Sequence, residues 1–225
     1  MQYDRDDAGY DRIVTLDIET THYKPDQGET VSVGIATHDR GASADDVSYQ
    51  TFHRSGDDEA AMIARAFQSI DNAGADALVT FHGQDFDLEF LSDRLYRLGA
   101  ENFLSEVDVL GTHVDLFADR KAVCDRTGDK WPSLEECLVS YGFPEPTTVW
   151  NGQPVDNTRF GEELGPLYLE VLESGTDDVC EQLTSVINHY LVTDLEANLA
   201  LYYADIGAAF EPGRLGTRKE FDVLS

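Results

Sequence analysis

Two acids stand two residues apart where an apolar run ends: residues 12–19 read RIVTLDIE. On an extended strand, side chains at i and i+2 point the same way, so Asp17 and Glu19 converge. Two like charges beside a buried strand are costly unless a cation meets them. A divalent metal with hard oxygen ligands would meet them; the alternative is a strand that stops at Asp17 and leaves both acids in water. A second run, FHGQDFDLEFL over residues 81–91, follows a short apolar strand. Gly83 permits a tight turn there, and Asp87 falls in the first turn of the next helix, beside a strand end where sheet ligands gather. An Asp in a first turn also serves simply as a partner of the helix dipole, a part Asp85 fills better. The third run is HYLVTD, residues 189–194. Tyr190 and Asp194 are i and i+4 and share a helical face. Ile187 and Leu191 lie close by, so that face looks inward, where an Asp is expensive unless paired or metal-bound. Tyr190 alone reads as a core residue with its hydroxyl hydrogen-bonded.

The elements that must position these acids follow from the apolar periodicity. Residues 12–17, 30–37 and 47–53 read as three strands, the second rich in β-branched residues, and they form an antiparallel meander. Asp57, Asp58 and Glu59 open a helix that runs to Ile70. Residues 77–81 form a buried strand, and residues 86–98 a helix stopped at Gly99. Strand-like pieces fall around VDVL (107–110) and HVDLF (113–117). Ser133 and Glu136 make a capping box for a short helix that Pro144 and Pro146 end. Residues 143–165 read as a surface loop anchored by Trp150. Helices follow over 163–173 and 177–205, the second with a long apolar stripe. Residues 1–11 read as a mobile arm and residues 211–225 as a polar, frayed tail, leaving one domain over 12–210. The order suits an α/β fold with a mixed central sheet, three antiparallel strands plus parallel ones, flanked by helices.

Taken together, the three acidic runs resemble the DEDD 3′–5′ exonuclease superfamily. Asp-x-Glu at the first strand's end, F-D on a helix after a strand and Y-x-x-x-D on a late helix occur here in that order across residues 12–205. The run FHGQDFDLEFL resembles the YNG-x-x-FD-x-x-FL pattern of family B DNA polymerase proofreading domains and their stand-alone relatives. The resemblance implies a ribonuclease H-like fold. It implies that Asp17, Glu19, Asp87 and Asp194 hold two divalent cations, Mg²⁺ or Mn²⁺, and that Tyr190 orients the attacking water. The reaction would be hydrolysis of phosphodiester bonds at a single-stranded DNA or RNA 3′ end, releasing nucleoside 5′-monophosphates. Non-cutting binding of nucleic acid or protein, or hydrolysis of small phosphodiesters, are the alternatives.

Two residues depart from the pattern. His82 stands where these relatives usually carry Asn, a residue that touches the terminal nucleotide; His82 and Phe86 are the substrate-binding candidates. His189 lies five residues before Asp194, the H-x-x-x-x-D spacing of the histidine subclass. On an unbroken helix a residue five back points about 140° away, which favours Tyr190; a helix that began only after His189 would reopen the choice. Tyr23 is a further stacking candidate; for both Tyr23 and Phe86 the alternative, which the sequence favours, is an ordinary loop or core residue. Asp115 reads as a turn or cap residue, with a fifth site acid as the alternative. His53 and His113 read as strand polar residues, and Arg94 and Arg97 as surface residues facing solvent or phosphate.

Composition sets the surroundings. The 225 residues carry 44 Asp plus Glu against 16 Lys plus Arg, a formal net charge of -28. Only four residues are Lys, and the acids are spread along the chain. Such a surface suits concentrated salt, where the Debye length falls to about 3 Å and self-repulsion is screened; a halophilic source is the expectation. Strong salt also screens attraction to phosphates, so affinity for nucleic acid must come from metal bridges, stacking and short hydrogen bonds. Three cysteines without a C-x-x-C spacing suggest neither zinc nor a disulfide framework. No apolar run approaches the length of a membrane span, and the acidic N-terminus is unlike a signal peptide. The expected location is the cytoplasm.

Overall fold

The computed structural model describes residues 1–104, 108–145 and 147–223. Its centre is a five-stranded mixed sheet. Strand β1 (Arg12–Thr20) pairs antiparallel with β2 (Thr30–Asp39), and β2 pairs antiparallel with β3 (Ser48–His53). After helix α1 (Glu59–Asn72), β4 (Ala77–Thr80) lies parallel to β1 on its other side. One wide turn, Gly83–Asp87, leads into α2 (Leu88–Arg97), and β5 (His113–Asp115) then adds parallel to β4. The sheet order is β3-β2-β1-β4-β5. This is the expected α/β architecture of an antiparallel meander joined to parallel strands.

Alternation along β1 divides the core. Val14, Leu16 and Ile18 pack with Met62, Ile63, Phe67 and Ile70 of α1 and with Phe90, Leu91 and Leu95 of α2. Ile13 faces the other side and packs with Leu195, Leu199 and Tyr203 of the long helix α7 (Asp177–Asp205). By the period of two, Asp17 and Glu19 share that α7 side with Ile13. Helix α7 seats closely on the sheet because Gly34 stands opposite Asp17 in β2. A Cβ there would sit 2.7 Å from Leu191 and 2.8 Å from Leu195. A glycine within a strand commonly marks such a close approach.

Several elements depart from the sequence expectation. Residues 116–127 form helix α3, which closes the β5 edge, and α4 (Leu134–Tyr141) carries the expected Ser133–Glu136 capping box. The segment expected as a loop over 143–165 contains strands β6 (Thr147–Trp150) and β7 (Gln153–Pro154). The short helix α5 (Asn157–Arg159) and a further helical turn, Phe160–Leu164, continue it into α6 (Gly165–Ser174). Trp150 is buried there as an anchor, with the Arg159 guanidinium 4.6 Å from its ring. The tail is not frayed over residues 218–221: strand β8 (Arg218–Phe221) pairs parallel with β6 in a second, three-stranded sheet, order β7-β6-β8. Ahead of β8, the buried Glu196 carboxylate accepts N–H bonds from Gly213, Arg214 and Leu215 and pins the chain to α7. Of the strand-like VDVL run, Val107 lies outside the described residues, and Asp108–Thr112 is a tight helical turn rather than a strand. In HVDLF the strand ends at Asp115. Residues 1–11 have neither helix nor strand, yet Arg5 N–H donates to the Asp205 carbonyl, the Tyr141 hydroxyl to the Tyr3 carbonyl and Arg120 to the Met1 carbonyl.

Candidate functional site

Strand β1 continues through both acids to Thr20, past the point where the sequence placed its end. The register with β2 shifts between Glu19 and Thr20; such a bulge bends a strand and re-aims side chains near a site. Asp17 and Glu19 therefore project from within the strand towards α7. Asp194 comes from α7 to meet them, and one oxygen from each of Asp17, Glu19 and Asp194 lies within 4.8 Å of the others. Glu19 is buried, while Asp17 and Asp194 keep partial exposure to a cleft of about 390 Å³.

Asp87 reaches the same cleft by a different route. In the Gly83–Asp87 turn the Leu88 N–H donates to the Gly83 carbonyl, an i to i+5 bond. Such a widened turn recurs at functional sites because it rotates the next side chain off the regular helix face. Gly83 is required, since a Cβ there would overlap the Thr80 side chain. His82 adopts the left-handed conformation at φ 70°. Asp115 holds this bend. Its carboxylate accepts N–H bonds from His82 and Gln84 across the turn and from Phe117 and Ala118 at the start of α3. Asp115 is thus a cap that welds two elements, as the sequence favoured. Asp87 itself caps nothing, and its Oδ2 is buried without a hydrogen-bond partner.

Electrostatics mark the four acids as a group under strain. Burial pushes Asp17 up to about 7. Burial also raises Glu19 well above the usual carboxylate range, with the charges of Asp17, Asp194 and Asp87 adding to it. Asp87 is raised by burial and by Asp17 and Asp115; Asp194 by burial and by Asp17 and Glu135. No Lys or Arg is among the described residues that line the cleft. Four hard carboxylates with no basic side chain beside them, one of them with an orphaned buried oxygen, are a donor set that fits Mg²⁺ or Mn²⁺.

Tyr190 and His189 part company on α7, which runs unbroken from residue 177. The Tyr190 ring stacks on Phe160 at 5.9 Å, and its hydroxyl donates to Asn157 Oδ1 at 2.8 Å beside Asp194. Burial and then the charges of Asp194, Glu19 and Asp17 hold that hydroxyl protonated. His189 turns towards the second sheet, where its Nδ1 lies 2.7 Å from the Thr148 hydroxyl and its ring meets Phe221 edge-on. Burial, with Lys219 and Arg214 nearby, lowers His189 to about 4.

Aromatic and small groups complete the cleft wall. His82, Phe86 and Tyr23 all line it, joined by His22, Phe117 and Pro132. Sequence reasoning missed Asn157 and Glu135, which also line it. Glu135 had a signal, because the Ser133 capping box fixes where α4 begins. Asn157 had none, because it rides on the segment read as a loop. Arg94 is not a surface residue: it donates through Nε and Nη2 to the buried Glu59 carboxylate at 2.7 and 2.6 Å. Arg97 is exposed and lies 3.7 Å from Asp93. His53 and His113 are strand residues bonded to Ser32 and Thr80.

A model of the RNase H superfamily matches residues 14–153, from β1 with its two acids through Asp87 to β7. The chain belongs to the RNase H superfamily. The fold of this RNase H superfamily member superposes on the family B DNA polymerase of the hyperthermophilic archaeon Pyrobaculum calidifontis with a TM-score of 0.61, at 17% identity over 85% of the chain. It covers 24% of that polymerase and so spans about a quarter of its length. A product-bound exonuclease I gives a TM-score of 0.47 at 16% identity, over 92% of this chain and 44% of that one. The zinc-bound complex of E. coli exonuclease I with single-stranded DNA gives 0.39 at 18% identity, over 56% and 34%. No curated protein sequence matches the chain significantly. The architecture agrees with the resemblance read from the three acidic runs, and it is a nuclease-type fold. No helix among the described residues is long and apolar enough to cross a membrane.

Proposed function

We propose that this RNase H superfamily member is a metal-dependent 3′–5′ exonuclease that acts on single-stranded DNA or RNA and releases nucleoside 5′-monophosphates. One observation carries the reading. Asp17 and Glu19 of β1 and Asp194 of the distant helix α7 bring oxygens within 4.8 Å of one another, with no Lys or Arg among the described residues that line the cleft. The orphaned Asp87 oxygen on the same cleft supports it.

On this reading Asp17, Glu19, Asp87 and Asp194 hold two divalent cations. Held there, the ions would lower the pKa of a bound water and offset the charge that builds up as a phosphodiester is displaced in line. Tyr190 keeps its proton and, braced by Asn157, presents a hydroxyl that orients the attacking water. The water oxygen bonds to phosphorus, the P–O3′ bond breaks, and the shortened strand keeps a 3′ hydroxyl. His82 and Phe86 face the terminal nucleotide, where stacking needs no basic surface. That independence suits a chain of net charge -28, and it is consistent with work in concentrated salt inside the cell.

The test is incubation of 3′- and 5′-labelled single-stranded DNA and RNA with Mg²⁺ or Mn²⁺, in molar KCl and in dilute buffer. Shortening from the 3′ end is expected for the wild type, and none for Asp17→Ala or Asp194→Ala with the far-ultraviolet dichroism unchanged. Cutting that survives both substitutions would defeat the proposal.

A further inference from the structure

The cleft's aromatic wall does not end at the cleft. The His82 ring lies 4.4 Å from Phe117, and Phe117 meets Trp131 edge-on at 6.0 Å. Trp131 adjoins Pro132, which lines the cleft, and is itself 48% exposed. A large indole left in water beside an active-site rim needs an explanation; an isolated surface aromatic would not. Its Nε1 is tied to Asp125 at 2.7 Å, which fixes the ring plane. The Lys121 ammonium sits 5.0 Å from the ring centroid, and Lys130 precedes it in sequence with its side chain 83% exposed. The chain has only four lysines, and two of them flank this one ring.

We propose that the path His82–Phe117–Trp131, with Lys121 and Lys130 beside it, carries the single strand out of the cleft by stacking a base upstream of the terminal nucleotide on Trp131. The proposal rests on the nuclease reading and adds where the rest of the strand goes. A flat, fixed, half-exposed indole offers any base a π-face, so the contact tolerates every sequence and survives strong salt. Lys121 pairs with Asp85 at 3.0 Å and Lys130 with Glu136 at 3.2 Å; these exposed pairs can exchange a carboxylate for a strand phosphate at little cost. The adjoining hollow that Glu135, Asp156 and Asp194 line has no Lys or Arg among its described residues.

Trp131 also reports on itself, because the other tryptophan, Trp150, is 5% exposed. In molar KCl with Mg²⁺, the protein is titrated with a dinucleotide and with a decathymidylate whose 3′ linkage is a phosphorothioate. Tryptophan emission is read beside the anisotropy of a 5′ label. The decathymidylate should quench the emission with a saturating isotherm, and the dinucleotide should bind without quenching. Trp131→Ala should weaken decathymidylate binding about tenfold and leave dinucleotide binding unchanged, while Trp131→Phe should recover part of the loss. Decathymidylate binding that leaves the emission unchanged, or equal quenching by both ligands, would overturn the path and leave the nuclease reading intact. If no oligonucleotide binds by anisotropy and none is cut, the path and the nuclease reading fall together.

Discussion

The buried carboxylates at the far end of α7 and those in the cleft are treated in opposite ways. At the far end of α7, Asp205 has a fully buried side chain, and so does its partner Arg120. The pair is bidentate at 2.6 and 2.9 Å, and the Tyr141 hydroxyl adds a bond at 2.7 Å. Glu59 is likewise answered by Arg94 and by the Thr30 N–H. In the cleft, Asp17, Glu19, Asp87 and Asp194 have no guanidinium among the described lining residues, and an Asp87 oxygen goes unbonded among them. A chain that matches its buried acids elsewhere, but leaves four together unmatched, has traded stability for a charge that something else must complete. The contrast separates a structural carboxylate from a functional one.

Breaking the unmatched set should have the largest effect. Asp194→Asn or Asp17→Asn is expected to lower nuclease activity by at least about a hundredfold. The metal-free protein should at the same time become more stable in urea, because a repelled charge has gone. A substitution that lowered both activity and stability would show that these acids are matched after all.

Breaking the matched set should do the reverse. Arg120→Met strands Asp205 in the core and is expected to cost about 3–5 kcal/mol in urea unfolding, with nuclease activity per folded molecule unchanged. Replacing both partners, Arg120→Met with Asp205→Leu, should return most of that stability.

The smallest effect is a matter of pH. His189 sits at about 4 in the folded chain, against about 6.5 unfolded. Between these values the unfolded chain binds the extra proton, so stability is lost as pH falls from about 6.5 to about 4. His189→Gln should flatten the thermal midpoint in that window. It should leave the pH–rate profile alone, because His189 faces Thr148; a profile that lost a limb near neutrality would restore His189 to the chemistry in place of Tyr190.

How legible these regions were differed for physical reasons. The cleft was readable because strand alternation fixes where Asp17 and Glu19 point, and because the stripe Leu183–Tyr202 fixes the inner face of α7 and so the place of Asp194. The Ser133–Glu136 capping box fixed α4 just as locally. Strands β6 and β8 were not readable, since each is four residues long and pairs with a segment far away in sequence. Helix α3 hid because LFADRKAVCDRT has no continuous apolar face, and its Arg120 is buried only by pairing with Asp205 of a helix distant in sequence. Asn157 is placed by β6 and β7 and was lost with them. The Arg94–Glu59 pair joins two helices, which no single-helix pattern reveals. Gly34 was the one neglected clue, a glycine in a strand that marks where α7 comes closest.

The central claim is that the four unmatched acids are completed by divalent cations. Calorimetric titration of metal-free protein with Mn²⁺ in molar KCl, in two buffers of different ionisation enthalpy, tests it directly. At pH 6, below the value of about 7 to which Asp17 is raised, binding should be saturable and should release protons. Asp17→Asn or Asp194→Asn should weaken the binding. No saturable binding, or binding that neither substitution alters, would contradict the account.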